Sequence, residues 1–309
     1  MEKHISVLLE ESLSSLKLKE DSIIVDCTLG YGGHSSNILA RIKKGFLFAF
    51  DQDSEAIRHS TDRLSAIGTN FTIIKSNFVN LKEELNKRDI TKVDGFLFDL
   101  GVSSPQLDDR ERGFSYHEDA RLDMRMDREN SVSAYEIVNN YTREELANIF
   151  YKYGEDKFAK NIAKKIVEYR ENKPIETTLE LVEIIKTAVP MKFRKDKHPA
   201  RQIFQAIRIE VNHELDVIQP ALEQALSMLS VGGRVAVITF HSLEDRLVKR
   251  FFKEKTEVEP RLKGIPNVPL ELLPDYELVV NKALKPSQEE LENNPRARSA
   301  KLRVIERIK

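Results

Sequence analysis

The chain has 309 residues, with 49 Lys+Arg against 50 Asp+Glu for a formal net charge of −1, 40% hydrophobic and 32% charged residues, one Cys and no Trp. That length supports one large or two modest cores, and the apolar share excludes collagenous, low-complexity and wholly disordered classes. Near-zero charge argues at first against nucleic acid, which ordinarily leaves a basic footprint.

One cysteine forms no internal disulfide. No apolar run reaches the ~20 residues of a membrane helix. Glu2, Lys3, Glu10, Glu11 and Lys17 interrupt the N-terminal apolar positions, unlike a signal peptide. The expectation is a soluble, cytoplasmic protein with no membrane partner, its oligomeric state left open.

In chain order, residues 23–27 form a β-rich run that ends at Thr28-Leu29-Gly30-Tyr31-Gly32-Gly33. Residues 35–43 read as a helix with Ile38, Leu39 and Ile42 on one face. Gly45 breaks it, and 46–51 is a second buried strand. Asp53 or Ser54 caps the following helix. Runs 71–75 and 95–99 complete four strands separated by helix-length segments, the pattern of a parallel sheet covered on both faces.

After Asp99 the pattern changes. Residues 101–130 are polar and turn-rich, and 144–153, 157–171 and 179–188 are predicted helices, with Pro174 and Pro190 at their stops. No strand is expected between Ser104 and Arg201. Residues 202–229 form one amphipathic segment in which Pro220 opens a second helix. Val231-Gly232-Gly233 is read as a turn into strand 234–240, and 276–280 and 301–305 are further strand candidates. The organisation expected is an α/β domain, 1–104 with 202–309, interrupted by a helical insertion over 105–201.

The first Gly-rich turn joins a strand to a helix, where a ligand approaches backbone closely and meets unpaired N–H groups. Asp51 ends the second strand, 21 residues after Gly30, the place of a carboxylate that grips ribose hydroxyls. A nicotinamide dinucleotide asks for Gly-x-Gly-x-x-Gly to hold a pyrophosphate. Here the sixth position is Ser35 and the extra glycine is Gly33, which favours S-adenosylmethionine, a nucleoside cofactor without pyrophosphate.

Further strings stand at the same edge or beyond it. They are DLGVSSPQLD (99–108), RGFS (112–115), LDMRMD (122–127), FHSLEDR (240–246) and NPRARS (294–299). With TLGYGGH (28–34), this set closely resembles the RsmH (MraW) family over essentially the whole chain. The resemblance implies a Rossmann-like class I S-adenosylmethionine-dependent methyltransferase sheet with an inserted all-helical domain. It implies methyl transfer to the exocyclic N4 of a decoding-site (P-site) cytidine in 16S rRNA, with the small ribosomal subunit as partner. Carried over by position, the cofactor contacts fall on Gly32, Gly33, His34, Asp51, Phe78, Asp99 and Gln106.

Methyl transfer from a sulfonium is an in-line displacement, in which positioning supplies much of the acceleration. A delocalised aromatic amine also needs an acceptor for its N–H protons and a ring to stack on. Many amino-methyltransferases carry Asp/Asn-Pro-Pro-aromatic after the fourth strand; here the place reads Asp99-Leu100-Gly101-Val102. Asp99 is therefore expected as amine acceptor or cofactor anchor, and Phe114, Tyr116, Phe240 or His241 as the stacking ring.

Cys27 at a strand end reads as a small buried hydrophobe rather than the thiolate nucleophile of carbon-5 cytosine methylation. His241, Ser242 and Asp245 invite a hydrolase reading, but adjacency in sequence makes no triad and Gly-x-Ser-x-Gly is absent. That motif is expected to cap the helix after Phe240. The seven histidines show no metal-ligand spacing, so no metal is expected.

RNA must be held for a base to be flipped out. Lys186, Lys192, Arg194, Lys195, Lys197 and Arg201 against Asp196 give net +5 over 186–201, with Phe193 and His198 interleaved. Residues 296–309 also carry six basic residues against Glu306. Such runs are usually solvated faces; the first, at the insertion's return, is expected to contact RNA. Whole-chain charge thus hides a polarised distribution. Two other classes remain at this point: an NAD-linked oxidoreductase, and a non-catalytic ribosome-assembly factor that binds RNA.

Overall fold

The computed structural model describes residues 6–194, 198–262, 264–265 and 268–309. It divides into two compact units, Met1–Gly101 with Leu215–Lys309, and Val102–Glu214.

The first unit begins with α1 (Leu9–Ser15), β1 (Ile23–Asp26), α2 (Gly33–Arg41), β2 (Phe46–Asp51), α3 (Ser54–Ser65), β3 (Phe71–Lys75), α4 (Leu81–Asn86) and β4 (Val93–Asp99). Asp53 caps α3, its carboxylate accepting from the Glu55 amide at 3.0 Å. The four strands lie where the apolar runs placed them.

The second unit holds α5 (Ser104–Asp108), α6 (Ala134–Asn140), α7 (Arg143–Lys152), α8 (Ala159–Arg170), α9 (Thr178–Ala188) and α10 (Ala200–Asn212). Three helices start at Ser/Thr-x-x-Glu capping boxes: Ser133/Glu136, Thr142/Glu145 and Thr177/Glu180. Among the described residues of 105–201 no strand forms; Arg121 and Thr177 make one isolated bridge. The return to the α/β unit, expected at 202, lies instead at 214–215. The apolar face of α10 (Ile203, Phe204, Ile207) is buried, and the helix packs on α6, α7 and α9.

The chain then forms α11 (Ile218–Met228), β5 (Leu229–Thr239), α12 (Ser242–Thr256), β6 (Tyr276–Leu278), α13 (Gln288–Asn293) and β7 (Lys301–Arg307). Pro220 is the third residue of α11 rather than its first, still within the turn whose N–H groups have no helical acceptor. Val231-Gly232-Gly233 is not a turn before a strand but an irregularity inside β5. Pairing with β4 passes there from Val93↔Leu229 to Gly95↔Arg234, and Gly232 takes φ 81°.

The sheet order is β3-β2-β1-β4-β5-β7-β6. The first five strands in that order run parallel, and β7 is antiparallel to both β5 and β6. Alternation along the strands feeds two cores. Phe48, Phe50, Phe96 and Phe98 pack with Leu222 and Phe251 on one face, while Leu47, Ala49 and Leu97 pack with Leu13, Ile38 and Leu302 on the other. This is the fold of S-adenosylmethionine-dependent methyltransferases with a helical insertion. The chain crosses outward in opposite directions from β1 and β4, so the ligand crevice of such a sheet opens beyond the carboxyl ends of these two strands. Among the described residues no helix is long and apolar enough to cross a membrane.

Candidate active site at the carboxyl edge of the sheet

Asp26, the last residue of β1, is fully buried. Ser35 Oγ donates to its Oδ2 at 2.7 Å and the Thr28 amide to its Oδ1 at 3.1 Å. Burial holds this carboxyl above its usual range despite those bonds. The turn is pinned further by the Leu29 amide on the Phe50 carbonyl (2.9 Å) and by Ser60 Oγ on the Gly30 carbonyl (2.7 Å). Gly32, at φ 75°, precedes the first residue of α2. A Cβ there would adopt a left-handed backbone and stand 3.2 Å from Ser60 Oγ.

Asp51 ties β2 to the same turn. Its Oδ2 accepts from the Gly30 amide at 2.7 Å and its Oδ1 from the Asp53 amide at 2.8 Å. Burial pushes the carboxyl up to about 6. The Gln52 amide also donates to this carboxylate, so three backbone N–H groups fix it at the turn. Phe78, half-buried after β3, sets its ring edge-on to Phe98 at 5.6 Å. Beside it Asn77 caps the Val79 amide (2.9 Å) and reaches Gln52 Oε1 (3.1 Å).

Asp99 ends β4. Its amide donates to Thr28 Oγ1 at 2.6 Å, and its Oδ2 lies 3.5 Å from His34 Nδ1. The side chain is 26% exposed, yet Oδ1 is buried and has no hydrogen-bond partner among the described residues. Burial raises the Asp99 carboxyl well above its ordinary value, and the charges of Asp26 and Glu244 add to the effect. His34 is 6% exposed, with Nε2 3.1 Å from the Val7 carbonyl oxygen; its ring is occupied between Val7 and Asp99.

The string after β5 folds as a cap, as the sequence predicts. His241 is the N-cap of α12, and Glu244 Oε2 accepts from the Phe240 and His241 amides at 2.8 and 3.2 Å. Glu244 is thereby buried beside Asp99. Asp245 is taken by Lys301 (2.7 Å) and Arg303 (2.8 Å), so His241, Ser242 and Asp245 form no triad. Phe240 is half-buried against the core that holds Leu47 and Leu97.

The remaining expected residues belong to the helical unit. Gln106 is buried in the capping box of α5, its Oε1 accepting the Ser103 amide at 3.0 Å. Phe114 is 6% exposed, with the Arg112 guanidinium 5.9 Å from its ring. Tyr116 packs on His117, His198 and Phe204. Phe193 is exposed; Lys157 Nζ stands 3.6 Å and Lys192 Nζ 4.9 Å from its ring centre. Arg194 Nε donates to the Val189 carbonyl. Lys195 and Lys197 lie outside the described residues.

The second basic run is divided: Arg296 and Arg298 are exposed, whereas its later members are engaged within the fold. Lys301 and Arg303 hold Asp245, and Arg307 donates to the Leu229 carbonyl. Sequence reasoning missed Asp26, Thr28 and Glu244 as parts of the site, and Lys157 beside Phe193. The signal for Asp26 was available, since it is the one acid in the run 23–27.

The pattern of the MraW methylase family matches residues 1–308. The chain is 55% identical over 310 residues to Ribosomal RNA small subunit methyltransferase H of Exiguobacterium sibiricum, across 100% of this chain and 99% of that protein. Among solved structures it is similar to an rRNA methylase from Streptococcus thermophilus (14% identity, 100% and 99% coverage, TM-score 0.44). It is likewise similar to a Streptococcus mutans methyltransferase in complex with SAH (14% identity, 98% and 99% coverage, TM-score 0.46). With the family pattern and a 55% identical relative both running end to end, the chain belongs to the MraW methylase family.

Proposed function

We propose that this chain methylates the exocyclic N4 of a decoding-site cytidine in 16S rRNA of the small ribosomal subunit, using S-adenosylmethionine. One observation carries the reading: the buried Oδ1 of Asp99, which has no hydrogen-bond partner among the described residues, in an edge lined by Asp26 and Glu244. Such an edge favours a cationic ligand and an N–H donor, and disfavours the pyrophosphate of NAD. The cofactor supplies an electrophilic methyl group on a positively charged sulfur, so the transfer calls for no metal as Lewis acid.

This chain's own residues do the rest. The start of α2 at Gly32, Gly33 and His34 directs helix N–H groups at a carboxylate tail. Asp51 accepts from ribose hydroxyls, and Phe78 flanks the adenine. Gln106 belongs to the same cofactor set by family position. Asp99 Oδ1 accepts an N–H, of the target amine or of the cofactor's ammonium; on the amine it orients the lone pair for in-line attack. Phe240 is the ring for the base, since Phe114 and Tyr116 are spent in packing and His241 in capping. Lys192, Arg194, Lys195 and Lys197, with Phe193 and Lys157, contact RNA through phosphates and stacking. The working compartment is the cytoplasm, where small subunits are assembled.

Titration calorimetry with S-adenosylmethionine and with NAD tests the cofactor half. Binding of the first only is expected, and binding of NAD only contradicts the reading. Methyl incorporation into small subunits separates an enzyme from a non-catalytic assembly factor.

A further inference from the structure

Two histidines stand beside carboxylates at the strand edge, and their protons count differently. His241 Nδ1 accepts the Glu244 amide at 3.5 Å, so the ring proton is on Nε2, which lies 3.1 Å from Glu244 Oε1. That Nε2 is nonetheless buried without a hydrogen bond of its own among the described residues. His34 differs. Its Nε2 faces the Val7 carbonyl oxygen, which only accepts, so Nε2 carries a hydrogen. Nδ1 then meets Asp99 Oδ2 at 3.5 Å. With a neutral ring and an ionised carboxylate, two lone pairs would oppose each other there. The contact is attractive only with one further proton between Nδ1 and Oδ2.

The surroundings hold that proton in place. Asp26 on β1 and Glu244 on α12 are the acids that raise Asp99, added to its burial, and His34 on α2 is the imidazole facing it.

We propose that His34 is a positioning residue for Asp99: it confines the pair's single proton to the Oδ2 side, so that Oδ1 stays a hydrogen-bond acceptor for an N–H donor. This rests on the methyl-transfer reading above. The donor is the cytosine amine or the cofactor's ammonium, which share this chemistry. Without His34, a protonated Asp99 can carry its hydrogen on Oδ1 and lose the acceptor. With His34, Oδ1 accepts whether the proton sits on Nδ1 or on Oδ2.

The direct test is nitrogen NMR of the imidazoles in the ligand-free full chain, titrated from pH 5 to 10, in wild type and Asp99→Asn. Nε2 of His34 is expected to stay protonated throughout. Nδ1 is expected to lose its proton at least one pH unit higher in wild type than in the variant. Equal midpoints overturn the proposal and leave the methyl-transfer reading standing.

A second measurement covers a variant that folds poorly. Asn at position 34 places an amide near the site of Nδ1 whose oxygen accepts a hydrogen carried on Oδ2 and whose N–H donates to an ionised Oδ2, whereas Ala offers neither. In His34→Ala, kcat/KM is expected to fall about tenfold per pH unit on an acidic limb absent from wild type, and His34→Asn restores the wild-type profile. A purely structural role lowers both variants equally at every pH, and that result overturns the proposal. Weakened S-adenosylmethionine binding in His34→Ala identifies the ammonium as donor; unchanged binding with lower kcat identifies the amine. Asp99→Asn methylating at the wild-type rate removes Asp99 from the reaction itself, whatever the NMR shows.

Discussion

The Asp99 amide donates to Thr28 Oγ1 at 2.6 Å, so the end of β4 is tied to the turn that leaves β1. This bond joins the acceptor edge to the Gly-rich turn. Thr28→Val removes the acceptor and leaves that N–H unpaired, at a cost of about 1–3 kcal/mol. Thermal unfolding should show a lower Tm for Thr28→Val and near wild-type behaviour for Thr28→Ser. An unchanged Tm in the valine variant contradicts this account of the turn.

Asp51 gives a pH dependence whose sign is fixed. Its carboxyl is raised from 3.8 to about 6 in the folded ligand-free chain. The folded state therefore holds an extra proton between these values. Its contribution to stability is fully present below about 4 and is lost as pH rises through about 6. Tm plotted against pH should fall less steeply across that window in Asp51→Asn. S-adenosylmethionine affinity should run the other way in wild type, strengthening as pH rises to about 6, because ribose hydroxyls donate best to the ionised carboxylate. Calorimetry at pH 5 and pH 7 reads this directly, and equal affinities contradict it.

Cys27 is buried at 2% exposure, with its thiol pushed up by burial and by Asp26. That is the opposite of an activated thiolate. Cys27→Ala should retain nearly all methyl transfer, at a stability cost of ~1 kcal/mol. Loss of activity in a folded variant points to covalent chemistry instead.

The two basic runs should part company when mutated. Lys157 and Lys192 flank the exposed ring of Phe193, so neutralising either should weaken RNA binding and lower the salt slope by about 1. Arg303 grips Asp245 with both partners largely buried. Arg303→Gln should lower Tm and leave the salt slope as it was. Filter binding across a salt series, beside thermal unfolding, checks both.

The sheet was legible because buried parallel strands are continuous apolar runs; 46–51 and 71–75 match β2 and β3 to the residue. The helical insertion was legible from periodicity. Its far boundary was not, since α10 is amphipathic wherever it packs and only its contacts assign it to the insertion. Asp51 and Asp99 stood out as acids at strand ends. Asp26, the acid that ends β1, offered the same signal; Glu244 did not, because its importance lies in burial beside Asp99, a property of the fold. Tyr116 read as a free aromatic, and the structure spends it on His198 and Phe204.

The central claim is methyl transfer to a cytidine N4, and nucleoside mass spectrometry tests it. Small subunits from cells lacking this enzyme are incubated with the purified chain and S-adenosylmethionine. Their 16S rRNA is then digested to nucleosides. The account predicts N4-methylated cytidine with wild type and a loss of at least about tenfold with Asp99→Asn, the scale of one lost charge-assisted hydrogen bond. Methylation at carbon 5, or no methylated nucleoside at all, would contradict it.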